Sequence, residues 1–191
     1  MIRAFIALDL SDEILQHLDR VTQELQQRIP HQAVRWVPAQ NIHLTLKFLG
    51  DVSEKNLAMV TSALKAEASA YAPFTISVGG LGAFPKTATP RVIWVGVEAP
   101  DVLVEMQRSL ELQMERLGYE REDRRFTAHL TIGRVSRTAS SQQVRLIGDA
   151  LGSYSLGFLG MVKIEALYLY RSDLRPDGAV YSRLFSAPLA A

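Results

Sequence analysis

Two short strings with one grammar, His43-Leu44-Thr45-Leu46 and His129-Leu130-Thr131-Ile132, constrain this 191-residue chain more than anything else in it. In an extended strand successive side chains point to opposite faces. Each string therefore sets a His and a Thr on one face, with Ile42, Leu44 and Leu46, or Ala128, Leu130 and Ile132, on the other. Such a strand needs an apolar layer behind it and leaves its polar pair looking into open space.

The surroundings of the strings repeat as well. Residues 5–8 read as a strand, and Ser11-Asp12-Glu13 opens a helix whose Ile14, Leu18, Val21 and Leu25 share a face until Pro30 ends the run. Strands at 34–37 and 42–49 follow; Ser53 caps a helix carrying Leu57, Val60 and Leu64, and a strand returns at 74–78. The Gly- and Pro-rich stretch 79–90 reads as a bend near the crossing between two halves. The order then restarts with a strand at 92–97 and a helix opened by Pro100-Asp101, carrying Leu103, Met106, Leu110 and Leu117 and closed by Gly118. A strand at 126–135, a helix capped by Ser140 or Ser141, a long strand at 162–170 and a last one at 179–185 complete the chain.

Phe5 overlays Trp94 and Asp12 overlays Asp101 at an offset of 89 positions, while His43 overlays His129 at 86. One loop absorbs the difference, so the pattern reads as a diverged internal duplication. The expected fold class is α+β: one bilobal unit over 1–191 with a pseudo-two-fold, repeat one about 1–90 and repeat two about 91–191, terminal strands being free to exchange between lobes. Each lobe would be a mainly antiparallel sheet with helices on its outer face, the open faces lining a central cleft.

Lys plus Arg number 21 against 20 for Asp plus Glu, so no global field attracts a polyanion and any anionic ligand must be held locally. The absence of cysteine excludes disulfides, thiolate metal sites and cysteine nucleophiles, and fits a reducing compartment. Met1 to Asp9 has too short an apolar run for a secretion signal or a membrane span. A soluble cytoplasmic protein with no membrane partner is expected.

Imidazoles titrating near neutral pH can take a proton from water and give one to a departing oxygen, and two of them on opposite sides of phosphorus suit an in-line displacement. Threonine hydroxyls two residues on can hold non-bridging phosphoryl oxygens. His17, on the polar side of the first helix, and His31, beside Pro30, are expected to be solvated. Two histidines without cysteine or His-x-His spacing leave a zinc site short of ligands, so neither metal nor cofactor is expected. Gly80-Leu81-Gly82 is followed by Ala83-Phe84-Pro85, which breaks a dinucleotide-binding loop, and neither a phosphate-binding G-x-x-x-x-G-K nor a G-x-S-x-G elbow occurs. A protein that grips a phosphate without turning it over remains an alternative, using Phe48, Phe84, Phe126 and Tyr170 with Lys47, Arg134 and Arg171.

With these residues in view the chain resembles the 2H phosphoesterase superfamily, and within it the bacterial and archaeal RNA 2′,3′-cyclic phosphodiesterases, also called 2′-5′ RNA ligases. The likeness runs from Arg3-Ala4-Phe5-Ile6-Ala7 through Arg35-Trp36-Val37, the first His string with Lys47-Phe48-Leu49-Gly50, Gly79 to Pro85 and Arg91 to Val97, to the second string and Leu169-Tyr170-Arg171-Ser172. The resemblance implies metal-independent hydrolysis of a terminal 2′,3′-cyclic phosphate to a 2′-phosphomonoester, with 2′-5′ ligation as the reverse reaction of the same site. It further implies His43 as proton donor to the 3′ oxygen, His129 as the base that activates water, and Thr45, Thr131 and Arg134 on the phosphate. Its partners would be RNA ends, tRNA halves among them, or cyclic nucleotides, taken by a monomer with no obligate protein partner. The near-symmetry of the two strings does not separate acid from base. Simple alternation turns Arg134 away from His129, so a bulge or strand end is needed there. Phe48 matches a position where an aromatic stacks on a base or fills the core, and its parity with Leu44 and Leu46 favours core. Ala128 and Gly133 stand where proline and alanine are common, which affects only strand geometry. The near-neutral charge keeps a small cyclic phosphate open as the substrate in place of RNA.

Overall fold

The computed structural model describes residues 1–175 and 178–190. Helices begin where hydroxyl caps stand. Ser11 opens α1 (Asp12–Gln26), Ser53 opens α2 (Glu54–Ala68), and Ser140 opens α4 (Ser141–Ser153) in a capping box with Gln143. Helix α3 (Asp101–Arg116) starts behind Pro100 without a side-chain cap. The strands are β1 (Ile2–Leu8), β2 (Val34–Trp36), β3 (Leu44–Val52), β4 (Phe74–Phe84), β5 (Val92–Glu98), β6 (His129–Val135), β7 (Phe158–Ile164), β8 (Ala166–Arg175) and β9 (Gly178–Pro188). They form two antiparallel sheets, ordered β3-β1-β8-β9 and β2-β6-β5-β4-β7, so the α+β reading holds. Helices α2 and α3 pack behind the first sheet, and α1 against β7 of the second. Leu44, Leu46, Leu130 and Ile132, the aliphatic sides of both His strings, join one continuous core with Leu18, Leu64 and Leu103.

Sheet membership does not follow chain order. The first sheet joins β1 and β3 to the C-terminal pair β8 and β9, while the second joins β2 and β4 to β5, β6 and β7. The single strand expected at 162–170 is two strands, parted at Glu165 and sent to different sheets. The adjacent buried residues Ala166 and Leu167 interrupt the alternation there, a signal hidden in a nearly continuous apolar run. Residues 79–82, expected as a bend between halves, lie inside β4. Val78 pairs with Val97 and Leu81 with Val95, so Gly79 and Gly80 together oppose Gly96 in a bulge, with Gly80 at φ 75°. His17 is not simply solvated: its Nδ1 meets the Leu159 carbonyl at 3.0 Å and fastens α1 to β7.

Both His strings contain a bulge at the same place. Ala7 pairs with Thr45 but Ile6 with Lys47, leaving Leu46 as the extra residue. Trp94 pairs with Thr131 but Ile93 with Gly133, leaving Ile132 as the extra residue. An extra residue inverts the alternation beyond it. Thr45 and Phe48 thus face Ala7 and Phe5, which share one face of β1, while Thr131 and Arg134 face Trp94 and Val92, which share one face of β5. The bulge that Arg134 required is present. The core reading of Phe48 fails for the same reason, because the inverted register leaves this ring 64% exposed on the His–Thr side.

Lys47, expected as a ligand-facing cation, is turned inward by the β3 bulge. It is 3% exposed and pairs with Glu111 Oε2 at 2.6 Å. The Leu46 carbonyl accepts from Gln107 Nε2 at 3.3 Å, and the same amide donates to Glu111 Oε1 at 3.2 Å. Lys47 also donates to the Glu120 carbonyl and Glu122 N–H to Glu111, so the network reaches the segment leading to β6. Removing one partner strands the other as a buried charge, at a cost of about 3–5 kcal/mol. Lys47→Met should lose roughly that much in urea unfolding, and Lys47→Met with Glu111→Leu should regain at least half of it; equal losses in single and double variants would show that the two side chains are not coupled.

Candidate active site

His43 precedes β3 and is enclosed by rings. Phe5 stacks on it at 4.6 Å between centroids, Tyr181 meets it edge-on at 5.1 Å, and Tyr170 lies nearly parallel to it at 6.1 Å. This burial pushes the imidazole down from 6.5 to about 4, against the opposing influence of the Asn41 backbone and the Asp9 charge. His43 is thereby held neutral at pH 7. Asp9 is itself organised: Tyr170 donates to its Oδ1 at 2.7 Å, Arg183 pairs with its Oδ2, and the Arg183 guanidinium lies 4.3 Å from the Tyr168 ring centre. Burial and the hydrogen bond to Asp9 push the Tyr170 hydroxyl up to about 12.

His129 opens β6, and its Nδ1 lies 2.6 Å from the Thr127 carbonyl. A carbonyl only accepts, so Nδ1 carries the hydrogen and Nε2 is the ring nitrogen left for chemistry. His129 is thus oriented by its own upstream backbone, whereas His43 is held among the rings of Phe5 and Tyr181. Phe84 meets His129 edge-on at 4.9 Å and Trp94 lies 6.5 Å away. The floor beside His129 is glycine. Gly96 pairs with it across β5, where a Cβ would come within 2.7 Å of the Gly79 carbonyl, and a Cβ on Gly82 would strike the Trp94 indole at 2.3 Å.

The expected residues thus gather as two sets. His43, Thr45 and Phe48 surround Phe5 on the first sheet; His129, Thr131 and Arg134 line β6 beside Phe84 and Trp94 on the second. Strands β3 and β6 touch, and Val37 N–H donates to the carbonyl of the bulge residue Ile132 at 2.9 Å. The segment that runs on to His43 is therefore tied to the His129 strand. Asn41 Nδ2 donates to the Ala179 carbonyl at 3.0 Å, anchoring the same segment to β9. Asp9, Tyr168, Tyr181 and Arg183 had no signal in the sequence, because pairing across β1, β8 and β9 is what brings them to His43, whereas Trp94, the overlay counterpart of Phe5, is brought to His129 by the pairing of β5 with β6. Among the expected aromatics and cations, Phe126 packs partly buried against the core and Arg171 pairs with Asp173 at 2.8 Å. Among the described residues no three His, Asp or Glu side chains gather as a metal-holding group, and no helix is long and apolar enough to cross a membrane.

Residues 8–94 match the family described as LigT like Phosphoesterase. The chain is 33% identical over 181 residues to the RNA 2′,3′-cyclic phosphodiesterase of Methanothermobacter thermautotrophicus, covering 95% of each chain. It is 35% identical over 182 residues to the protein of that name from Archaeoglobus fulgidus, covering 95% of this chain and 97% of the relative. Among solved structures, a Thermus thermophilus protein superposes with a TM-score of 0.82 at 27% identity, over 98% of each chain. E. coli LigT complexed with 3′-AMP superposes with a TM-score of 0.75 at 26% identity, over 100% of this chain and 99% of LigT. The two-sheet architecture, the paired His strands and the end-to-end likeness to these relatives agree, and the chain belongs to the LigT-like phosphoesterases of the 2H superfamily.

Proposed function

We propose that this protein hydrolyses the 2′,3′-cyclic phosphate at RNA ends to a 2′-phosphomonoester, with His43 and His129 as the proton-transfer pair. The observation that supports it is the matched pair of bulged strands, each carrying a His and a Thr two residues apart ahead of its bulge, with His129 Nδ1 held on the Thr127 carbonyl and His43 stacked on Phe5. In the forward step water oxygen bonds to phosphorus while one imidazole takes the water proton. The bond from phosphorus to the 3′ oxygen breaks, and the other imidazole returns a proton to that oxygen. Thr45, Thr131 and Arg134 hold the non-bridging oxygens as charge redistributes. Phe48, exposed beside Phe5, offers a stacking surface to the terminal base. The reverse reaction joins RNA ends through a 2′-5′ bond. Residues 1–191 act in this reading as one duplicated unit whose repeats meet near residue 90, with the cytoplasm as setting and a monomer as working form.

Family resemblance assigns His43 as acid and His129 as base. A His43 that is neutral in the free protein can donate only after acquiring a proton, and the bound phosphate anion beside it is the charge that would restore its proton affinity. The same low pKa favours the opposite assignment, in which neutral His43 is the base.

In excess chelator the protein should open a 2′,3′-cyclic nucleotide, and His43→Ala or His129→Ala should each lose about 10²- to 10⁴-fold in kcat. Wild-type turnover in either variant, or cyclic phosphate recovered intact from wild type, would overturn the mechanism. Asp9→Asn separates the two role assignments. Asp9 raises the His43 pKa, so its loss lowers that value further; in the kcat/KM profile the alkaline limb should shift to lower pH if His43 is the acid, and the acidic limb if it is the base.

Folding is linked to the same group. His43 titrates near 6.5 when unfolded and at about 4 when folded, so between these values the unfolded chain binds more protons. Its contribution to stability is complete above about 6.5 and falls as pH drops toward 4, by up to ~1.4 kcal/mol per unit. His43→Phe should flatten the stability profile in that window; an unchanged slope in chemical denaturation would show that His43 is not the group responsible.

A further inference from the structure

Arg35 on β2 pairs directly with Arg134 on β6, and Arg134 pairs with Val92 on β5. Directly opposed residues share a face, with Cβ atoms about 4.5–5.5 Å apart. Arg35 therefore stands on the face that carries His129, Thr131 and Arg134. The opposite side of β2 is accounted for, since Val34 and Trp36 crowd Gly133, where a Cβ would come within 2.9 Å of Val34 and 3.0 Å of Trp36. Two guanidiniums in direct cross-strand register repel each other. Both are exposed, and among the described residues neither is in an ion pair: the five present use Lys47, Arg124, Lys163, Arg171 and Arg183. A like-charged pair without an acidic partner becomes favourable once an anion lies between the two.

We propose that Arg35, standing beside the Arg134 that holds the reacting phosphate, forms a second phosphate subsite that holds the phosphodiester on the 5′ side of the nucleotide bearing the cyclic phosphate. The subsite rests on the cyclic-phosphate reading above and adds to it the part of the substrate gripped away from the reacting phosphorus. His129, Thr131 and Arg134 follow one another along the open face of β6, and Arg35 lies one strand further out, on the edge strand of its sheet. A nucleic-acid backbone leaving the reacting centre over that edge carries its next negative charge past Arg35. The planar guanidinium fork suits a phosphodiester, which offers two non-bridging oxygens. At a net charge of +1 the chain as a whole does not attract a polyanion, so local cations of this kind are how it would tell an oligonucleotide from a mononucleotide.

Three probes test this: a mononucleoside 2′,3′-cyclic phosphate with a free 5′-hydroxyl, a dinucleotide ending in the same group, and that dinucleotide with a neutral methylphosphonate linkage. Arg35→Gln should lower kcat/KM for the dinucleotide about tenfold, through KM, and leave the mononucleoside substrate within about twofold. Wild type should lose a similar factor on the methylphosphonate dinucleotide, and Arg35→Gln should lose nothing further on it. Equal losses on mononucleoside and dinucleotide substrates, or indifference of wild type to the neutral linkage, would overturn the subsite. Binding of the two dinucleotide 2′-phosphates, normal and methylphosphonate, is measured in parallel by fluorescence anisotropy and needs no turnover. Preference for the charged linkage that vanishes in Arg35→Gln supports the subsite even in a protein that opens no cyclic phosphate, whereas turnover without that preference leaves the activity standing and removes the subsite.

Discussion

One extra residue in each of two strands sets everything that faces the candidate site. Without Leu46 as the unpaired residue of β3, alternation would bury Phe48 and send Lys47 into the open; without Ile132 in β6, Arg134 would point to the helices. Each bulge leaves a backbone carbonyl that the ladder does not satisfy in the usual way, and each has a dedicated partner. The Gln107 amide of α3 serves Leu46, and the Val37 N–H serves Ile132. The inner side of α3 carries buried Gln107 and Glu111 where leucines would otherwise be expected, because a bulged strand needs polar support from behind. The irregularity of β3 is thus supported by α3 from behind, and that of β6 by the backbone that follows β2.

Against this shared frame the two histidines have different surroundings. His43 sits within three aromatic rings with Asp9 further off, and desolvation dominates its protonation. His129 keeps its Nδ1 on a carbonyl and meets the edge of Phe84, next to glycines whose missing Cβ atoms let the Gly79 carbonyl and the Trp94 indole pack close. Acid and base roles arise when like groups are held in unlike environments, and here the difference comes from β1, β8 and β9 on one side against β4 and β5 on the other. The His–x–Thr strings themselves do not carry it.

Much of this is legible in the residues. Hydroxyl caps at Ser11, Ser53 and Ser140, apolar periodicity in the helices and the paired strings lead to an α+β chain of two antiparallel sheets and to the right family. Period-two reasoning fails beyond Leu46 and Ile132, since nothing in Thr-Leu-Lys or Thr-Ile-Gly announces an inserted residue. That single reason hides the true placement of both Phe48 and Lys47. The break at Glu165 lies hidden in an apolar run that serves two sheets in succession, and the glycines of β4 resemble a bend because a bulge and a turn favour the same residue. Asp9 and Arg183 are 174 positions apart and no local pattern could join them.

The passage of the chain between sheets also dictates when the molecule can assemble. Strand β1 is synthesised first yet lies between β3 and β8, so its second neighbour exists only after residue 166 has left the ribosome. Ring partners of His43 come from Tyr170 and Tyr181, and its pocket cannot close before the final hairpin docks. Pairings of such sequence separation make for high contact order and slow, late consolidation. A nascent or truncated chain that stops short of β8 would hold the first His string on a two-stranded ribbon, with its imidazole in water and its proton affinity that of an ordinary histidine.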